Sequence, residues 1–333
     1  MLEGRPDITD RNAIPGTASG YTAQSAAHRK KYVQRLYENR QMYLFLILPL
    51  IWLLVFKYWP MYGAIIAFKN YKPADGIFGS EFVGLYHFQK FFNSVYFERT
   101  VGNTLALSIY SLVVGFPIPI IFALLLNSVR SKLWRGWIEN VTYMPHFIST
   151  VVMVGIMMRV FDVNTGLMHN VLGAFGLRWK TDMFIGDNNF RNLYIWSGVW
   201  QGTGWGSIIY MAALSAVDPQ LHEAAIVDGA SRWKRVWNID LPAIVPTITI
   251  TLILRFGSIM SIGFDKAFLM QNDTNIAASE VISTYVYKVG LKADSGMQFS
   301  YSTAINMFNS IINLIAISTV NAISNRINGS GMW

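Results

Sequence analysis

The sequence lacks cysteine and carries few charged residues. Of its 333 residues, 14% are charged and 53% are hydrophobic, whereas soluble domains carry about 25% charged residues. The absence of cysteine excludes disulfides, thiol catalysis, cysteine zinc sites and iron–sulfur clusters. Five scattered histidines argue against a histidine metal site, so we expect no bound metal. The charge deficit argues against an ordinary soluble enzyme and favours a membrane protein.

Six segments are long and apolar enough to form transmembrane helices. The first, residues 42–59, follows a polar tail and lacks the small-residue cleavage site of a signal peptide, so we expect it to be retained. Pro117 and Pro119 should kink the second segment. The pattern predicts an all-α membrane protein with spans at 42–59, 101–127, 137–161, 191–216, 243–270 and 301–323.

The positions of the basic residues account for the net charge of +8. The tail 1–40, two loops and the C-terminal end hold 14 Lys and Arg, whereas the other three loops hold 8. Cytoplasmic loops are enriched in Lys and Arg, so we expect six spans with both termini in the cytoplasm. The basic pattern of residues 28–40 predicts a helix that lies on the lipid surface of the inner leaflet. The chain thus divides into a tail, 1–40, and a transmembrane domain, 41–333, and no arginine-rich patch indicates nucleic-acid binding.

The loop between the fourth and fifth spans, residues 217–242, carries the strongest motif. Asp218, followed by proline, is a good helix start. Gly229 can end that helix with a positive φ, and Ser231 can cap a second short helix. Leu241-Pro242 should then end the segment and return the chain to the membrane.

This loop resembles the EAA coupling loop of ABC importer permeases, whose pattern is E-A-A, three residues, Gly, nine residues and I-x-L-P. Residues 60–73, 84–92, 281–291 and 299–314 resemble the permeases of oligo- and polysaccharide importers, in particular the LplB-like subgroup, which includes an alginate importer's permease. The residues that match or extend the coupling pattern are Glu223, Ala224, Ala225, Asp228, Gly229, Ala230, Ile239, Leu241 and Pro242.

The resemblance implies a type I ABC importer permease fold in the bacterial cytoplasmic (inner) membrane. It also implies three kinds of partner: a second permease, which we expect to be non-identical, two ATPase subunits, and a solute-binding protein that delivers a carbohydrate. The chain has no G-x-x-x-x-G-K-[ST] motif, so ATP and magnesium would bind to the ATPase partners and no cofactor to this chain. We therefore expect a transporter subunit that catalyses no reaction.

The candidate substrate pathway combines aromatic and hydrogen-bonding side chains, because both contact sugars. Counting without gaps from Glu223 against the maltose permease transfers that family's sugar contacts to Gln201, Gly202, Trp205, Arg255 and Ile259. Packing or an aromatic belt at the membrane interface is the alternative role for the aromatic residues, and helix association is the alternative for the asparagines. The full set is Trp196, Trp200, Gln201, Gly202, Trp205, Arg255, Ile259, Asn306 and Asn309.

Arg255 bears on the class of sugar. It falls near the middle of the predicted fifth span, where an arginine costs about 2.5–3.5 kcal/mol on insertion scales and faces a cavity or a partner. Arginine binds a carboxylate bidentately, so an acidic sugar such as alginate is one interpretation and a structural ion pair is the other. Asp265 and Lys266 are interpreted as an interfacial or interhelical pair rather than substrate contacts.

Two other classes of protein compete with this interpretation. A secondary active transporter of a small solute is the main alternative, although such proteins usually have more spans and inverted repeats. An integral-membrane enzyme needs paired carboxylates, a histidine cluster or a nucleophile near one leaflet, and none converges here.

Overall fold

The computed structural model describes residues 39–177, 182–292 and 297–328, and most of them are helical. The all-α prediction is therefore confirmed. Within these ranges the one sheet is an antiparallel pair of two-residue strands. The predicted basic helix at 28–40 lies outside the described residues apart from its last two positions, so it stays a prediction, as does the division at residue 40.

Within the described residues the chain divides into two units, the first ending at Gly63 and the second beginning at Ala64. Arg40–Phe68 is helical throughout and is long and apolar enough to cross a membrane, so the segment predicted as the first span, 42–59, is helical. The described elements of the first unit are α1 (Arg40–Leu53), a π-helical turn (Leu54–Tyr58) and α2 (Trp59–Met61).

The rest of the chain is a succession of helices with one short hairpin. In chain order the elements are a 3₁₀ helix (Tyr62–Phe68), β1 (Lys69–Asn70), α3 (Gly76–Gly79), β2 (Glu81–Phe82), α4 (Tyr86–Phe92), α5 (Val95–Tyr110), a π turn (Ser111–Gly115), α6 (Pro117–Asn127), α7 (Lys132–Tyr143), a 3₁₀ turn (Met144–Phe147), α8 (Thr150–Val160), α9 (Leu167–Ala174), α10 (Asp187–Ser215), α11 (Pro219–Val227), α12 (Arg232–Arg235), a π turn (Val236–Asp240), α13 (Leu241–Phe256), α14 (Phe264–Met270), α15 (Ile276–Ser279), α16 (Ile282–Leu291) and α17 (Phe299–Asn328).

The long helix α10 organises the core of the second unit. Its first half packs in an apolar cluster with residues of α5, α8 and α14, and its second half packs in another cluster with α6 and α13. Between the two halves, Gly204 lies against α7, where an added Cβ would be 2.2 Å from the carbonyl oxygen of Thr142. Only glycine lets the two helices approach this closely.

The second predicted span is one helix of 33 residues, Val95–Asn127. Its regular hydrogen bonding is interrupted by the π turn at Ser111–Gly115, directly before Pro117. Proline has no N–H to donate and crowds the preceding turn, and a π turn is a common way to absorb that defect inside a helix.

The third predicted span, 137–161, is wrong as one continuous helix. The structure has two helices, Lys132–Phe147 and Thr150–Val160, bent by 100° at the break between them. Pro145 lacks an N–H for the first helix. The Ser149 side chain accepts a hydrogen bond from the Val152 N–H and so caps the start of the second.

The fifth predicted span, 243–270, is also wrong in its bounds. A continuous helix runs from Arg232 to Phe256, passing through Pro242, and a turn separates it from α14. Thus the second helix of the 217–242 loop does not stop at Leu241-Pro242, because the π turn just before it accommodates the proline. Arg255 lies in the last turn of its helix, not near the middle.

Four described helices are long and apolar enough to cross a membrane, or five when the bent pair counts as one span. The predicted fourth span, 191–216, corresponds to α10, a helix of 29 residues that is not among these. The count of six spans and the orientation of the termini stay predictions.

Candidate coupling loop and central cavity

The loop at 217–242 begins with the predicted capped helix. The Asp218 carboxylate accepts a hydrogen bond from the Gln220 N–H at 2.9 Å, and Pro219 is the first residue of α11. Gly229 follows the helix with a φ of +75°, a conformation that glycine adopts without strain. The Ser231 hydroxyl accepts from the Lys234 N–H at 3.4 Å. Three short-range signals in the sequence are thus confirmed as helix boundaries.

Helix α11 presents its motif residues on the surface. Glu223, Ala224, Asp228 and Gly229 are exposed, and Ala225 is partly buried. Exposed apolar side chains flank them on the same short helix, including Val227, which is 87% exposed. Of the remaining motif residues, Ala230, Ile239 and Leu241 are partly buried and Pro242 is exposed. This exposed face is suited to contact with another protein.

The loop is joined to the two helices beside it through one buried carboxylate. Asp240 is 4% exposed. Its Oδ1 lies 3.3 Å from Nε2 of His222 on α11 and 3.4 Å from Nδ2 of Asn127 at the end of α6. Displacement of α11 would therefore be passed to α6 and α13. The sequence does not predict this joint, because its three residues lie far apart along the chain.

The central cavity lies between α10, the middle of the Val95–Asn127 helix, and the ends of α13 and α14. Its volume is about 280 Å³. Three predicted pathway residues line it together: Gln201, Gly202 and Arg255. The side-chain amide of Gln201 donates to the Ile148 carbonyl at 2.7 Å, which holds it in place.

Lys266 lines the same cavity and was not predicted to do so. Its Nζ donates to the Tyr194 carbonyl at 2.5 Å and lies 4.5 Å from the centre of that tyrosine ring. The described ion pairs include none between Lys266 and Asp265, and an interfacial or interhelical role for the two residues stays a prediction. Lys266 lines the cavity because the chain turns after α13, which directs α14 and its lysine towards α10. The signal available in the sequence was a lysine within an apolar segment.

Arg255 lies between the central cavity and a smaller one. The second cavity, of about 80 Å³, is lined by Arg255, Ile259 and four serines. No described carboxylate lines either cavity, and the described ion pairs include none formed by Arg255. Two cations and several hydroxyl or amide groups therefore face these spaces. This arrangement can bind a carboxylate together with sugar hydroxyls.

The predicted tryptophans are not brought into the cavity. Trp196, Trp200 and Trp205 are each about half exposed and are absent from the described lining of both cavities. Trp205 stacks on His146 with ring centres 4.5 Å apart, and Trp196 Nε1 donates to the Tyr110 hydroxyl at 3.2 Å. Their role in a pathway stays a prediction.

The two asparagines of the last helix also lie outside the described cavity linings. Asn306 is exposed. The side-chain oxygen of Asn309 is buried and has no hydrogen-bond partner among the described residues. Both remain predicted pathway residues.

Comparison with known proteins identifies relatives over nearly the whole chain. Residues 115–329 match the family described as binding-protein-dependent transport system inner membrane component. The polygalacturonan/rhamnogalacturonan transport system permease protein YteP of Bacillus subtilis (strain 168) is 40% identical, covering 92% of this chain and 94% of its own. Protein LplB of the same organism is 39% identical, covering 91% and 94%.

The fold is also that of a solved structure. The crystal structure of a bacterial alginate ABC transporter, in complex with an alginate pentasaccharide-bound periplasmic protein, contains a chain with a TM-score of 0.81 and 37% identity. The match covers 90% of the present chain and 99% of the chain in that structure.

Proposed function

The chain belongs to the family of binding-protein-dependent transport system inner membrane components, and from this premise we propose that its central cavity carries an acidic oligo- or polysaccharide. The protein is a permease subunit of an ABC importer and a multi-pass protein of the inner membrane. Family membership favours this function over the secondary active transporter that the sequence left as the alternative.

The observation that carries the choice of substrate is the shared position of two cations. Arg255 and Lys266 line one cavity with Gln201, and no described carboxylate neutralises them there. Arg255 is exposed and Lys266 is partly buried, so both cations are accessible from the cavity, and a substrate carboxylate could pair with them there. The names of relatives agree with this class, since they transport polygalacturonan or import the acidic polysaccharide alginate.

The depth of the cavity fits a translocation site. Ser111 and Gly115, which line it, lie near the middle of the 33-residue helix Val95–Asn127. Arg255 is level with them although it ends its own helix. Transporter sites near the middle of the membrane allow access from either side as the surrounding helices move. We assign to this cavity the residues Gln201, Gly202, Arg255 and Lys266, and we assign Ile259 to the smaller cavity that shares Arg255 with it.

Energy would reach the cavity through the 217–242 loop. The exposed face of α11, with Glu223 and the two alanines after it, would bind an ATPase subunit that holds ATP and magnesium. The contacts of Asp240 with His222 and Asn127 would pass the resulting motion to α6 and α13. The complete importer would contain two such ATPases, a second and different permease, and a solute-binding protein.

The test is ATPase activity of the complete importer in lipid with its binding protein, over neutral and uronate oligosaccharides. Uronates should stimulate the wild type. Arg255→Gln should raise the half-saturating concentration of uronates about tenfold, because one charge-assisted hydrogen bond to the substrate is lost. Arg255→Lys, which keeps the charge, is the matched control and should lose less.

Glu223→Lys should abolish stimulation by every sugar, whereas the same change at exposed Glu98 should have no effect. If neutral sugars stimulate the importer and this stimulation survives Arg255→Gln, the proposal of an acidic substrate is refuted. Arg255 would then be a structural residue, for example in an ion pair with the other permease. Normal stimulation in Glu223→Lys would refute the coupling role.

A further inference from the structure

A further cavity, the far cleft, has a volume of about 660 Å³. It is lined by Asn70, Tyr71, Val83, Tyr86, His87, Lys90, Met297, Gln298, Phe299, Ser300 and Tyr301. Its volume is within the range of about 300–1,000 Å³ that holds small-molecule ligands, and it shares no residue with the central cavity.

The Val95–Asn127 helix places the far cleft on the outer side. The cleft is lined in part by residues of α4, which ends shortly before this helix starts, whereas Ser128, just past its end, lines an apolar groove with Trp233 and Trp237 of the coupling segment. A helix of 33 residues extends about 50 Å, which is more than the thickness of the hydrocarbon. The far cleft, the central cavity and the coupling loop therefore follow one another along this helix.

The walls of the far cleft are braced in one arrangement. Lys90 Nζ donates to the side-chain oxygen of Gln298 at 2.8 Å and lies 4.6 Å from the centre of the Tyr301 ring. The Ser300 hydroxyl accepts from the Tyr71 N–H at 2.9 Å. These bonds join α4 and the residue that follows β1 to the start of α17, so the cleft is a built feature of the fold.

His87 contributes a hydrogen-bond acceptor that the described chain does not use. The residue is 7% exposed, and its Nε2 donates to the Lys69 carbonyl at 3.1 Å. Burial lowers the pKa of His87, so the ring is neutral at pH 7. Nδ1 then keeps its lone pair and has no hydrogen-bond partner among the described residues. The atom itself is buried, so a ligand hydroxyl reaches it only when the cleft wall opens.

The chemistry of the far cleft matches a hydroxyl-rich anionic ligand. Lys90 is the one charged side chain in its described lining, and it sits among hydroxyl, amide and tyrosine groups, including Tyr86, which is 56% exposed. The groove at Trp233 and Trp237 has a similar size but an apolar lining, and nothing indicates what covers it. The far cleft and the central cavity thus carry the same sign of charge and the same kinds of polar group.

We propose that the far cleft is an outer saccharide subsite, which binds the units of an acidic oligosaccharide that precede those in the central cavity. This inference rests on the proposed function of the central cavity. A chain long enough to reach both places contacts both, whereas a short one contacts only the site it occupies. The far cleft therefore contributes to affinity in proportion to substrate length.

The test measures ATPase stimulation of the complete importer by a dimeric and an octameric oligogalacturonate. Lys90→Gln and Tyr86→Ala should raise the half-saturating concentration of the octamer about tenfold and leave that of the dimer unchanged. Gln89→Ala is the matched control, because Gln89 is exposed on the same helix and absent from the described lining.

Equal losses for dimer and octamer would overturn the subsite and indicate that the cleft contacts the solute-binding protein. Unchanged affinity for both lengths would overturn it as well. A wild type that responds to no saccharide would refute the proposed function itself. If the wild type is stimulated normally but Lys90→Gln affects dimer and octamer alike, only the far-cleft proposal is refuted.

Discussion

Lys266 is the residue that most changes the view of the central cavity. Its ammonium group reaches the Tyr194 carbonyl and lies beside Gly198, where an added Cβ would be 3.2 Å from Nζ. Glycine at that position leaves the space that the ammonium occupies. Because Arg255 lines the same cavity, the cavity carries two positive charges from separate helices.

We expect Lys266→Gln to raise the half-saturating concentration of uronate oligosaccharides about tenfold, because a charge-assisted hydrogen bond to the substrate is lost. Stimulation by any neutral sugar should be unaffected. The measurement is substrate-stimulated ATPase activity in lipid, and Arg130→Gln, which removes an exposed charge near the coupling loop, is the control. An equal loss for neutral and acidic sugars would mean that the lysine only supports Tyr194.

At the scale of elements, close approach of α10 and α7 depends on one glycine. The Cβ of any other residue at Gly204 would overlap the Thr142 carbonyl, which belongs to the backbone and has no flexible end to move. Helix α10 also supplies residues to two of the three apolar clusters. A shift of this helix would therefore disturb the cavity and the core together.

Gly204→Ala should destabilise the permease by about 1–3 kcal/mol, the usual cost of overpacking. Gly102→Ala is the matched control, because Gly102 is also in a long helix and an added Cβ there meets nothing within 4 Å. Thermal unfolding of the purified complex in detergent measures the difference. If both variants unfold at the wild-type temperature, the two helices do not touch as described.

For the whole molecule, the order of the far cleft, the central cavity and the coupling loop along one helix implies a direction across the membrane. The coupling loop faces the cytoplasm if it meets ATPases, and the far cleft then faces outward. Basic residues in the sequence predict the same orientation. The absence of cysteine makes this orientation simple to measure.

A membrane-impermeant maleimide should label Asn93→Cys in intact cells and should label Arg130→Cys only after the membrane is opened. Both positions are exposed in the structure and lie just beyond opposite ends of the Val95–Asn127 helix. The parent chain, having no cysteine, gives the background. Labelling of Arg130→Cys in intact cells would reverse the orientation and place the far cleft in the cytoplasm.

The sequence by itself determined the class of protein, the capped helix of the coupling loop and the family. Apolar length, the Asp218 and Ser231 caps and the glycine at 229 are local properties, so they act within a few residues and can be recognised without a fold. The spacing from Glu223 to Pro242 is equally local.

Only the tertiary structure decided where the helices break and which side chains share a cavity. The bend between Phe147 and Thr150 and the turn after Phe256 occur within segments that apolar length alone predicts as single spans. The turn after Phe256 lets Lys266 and Arg255 line one cavity, and the positions of the tryptophans depend equally on long-range packing. Contacts between residues far apart along the chain depend on the relative placement of helices, which packing determines and local sequence does not encode.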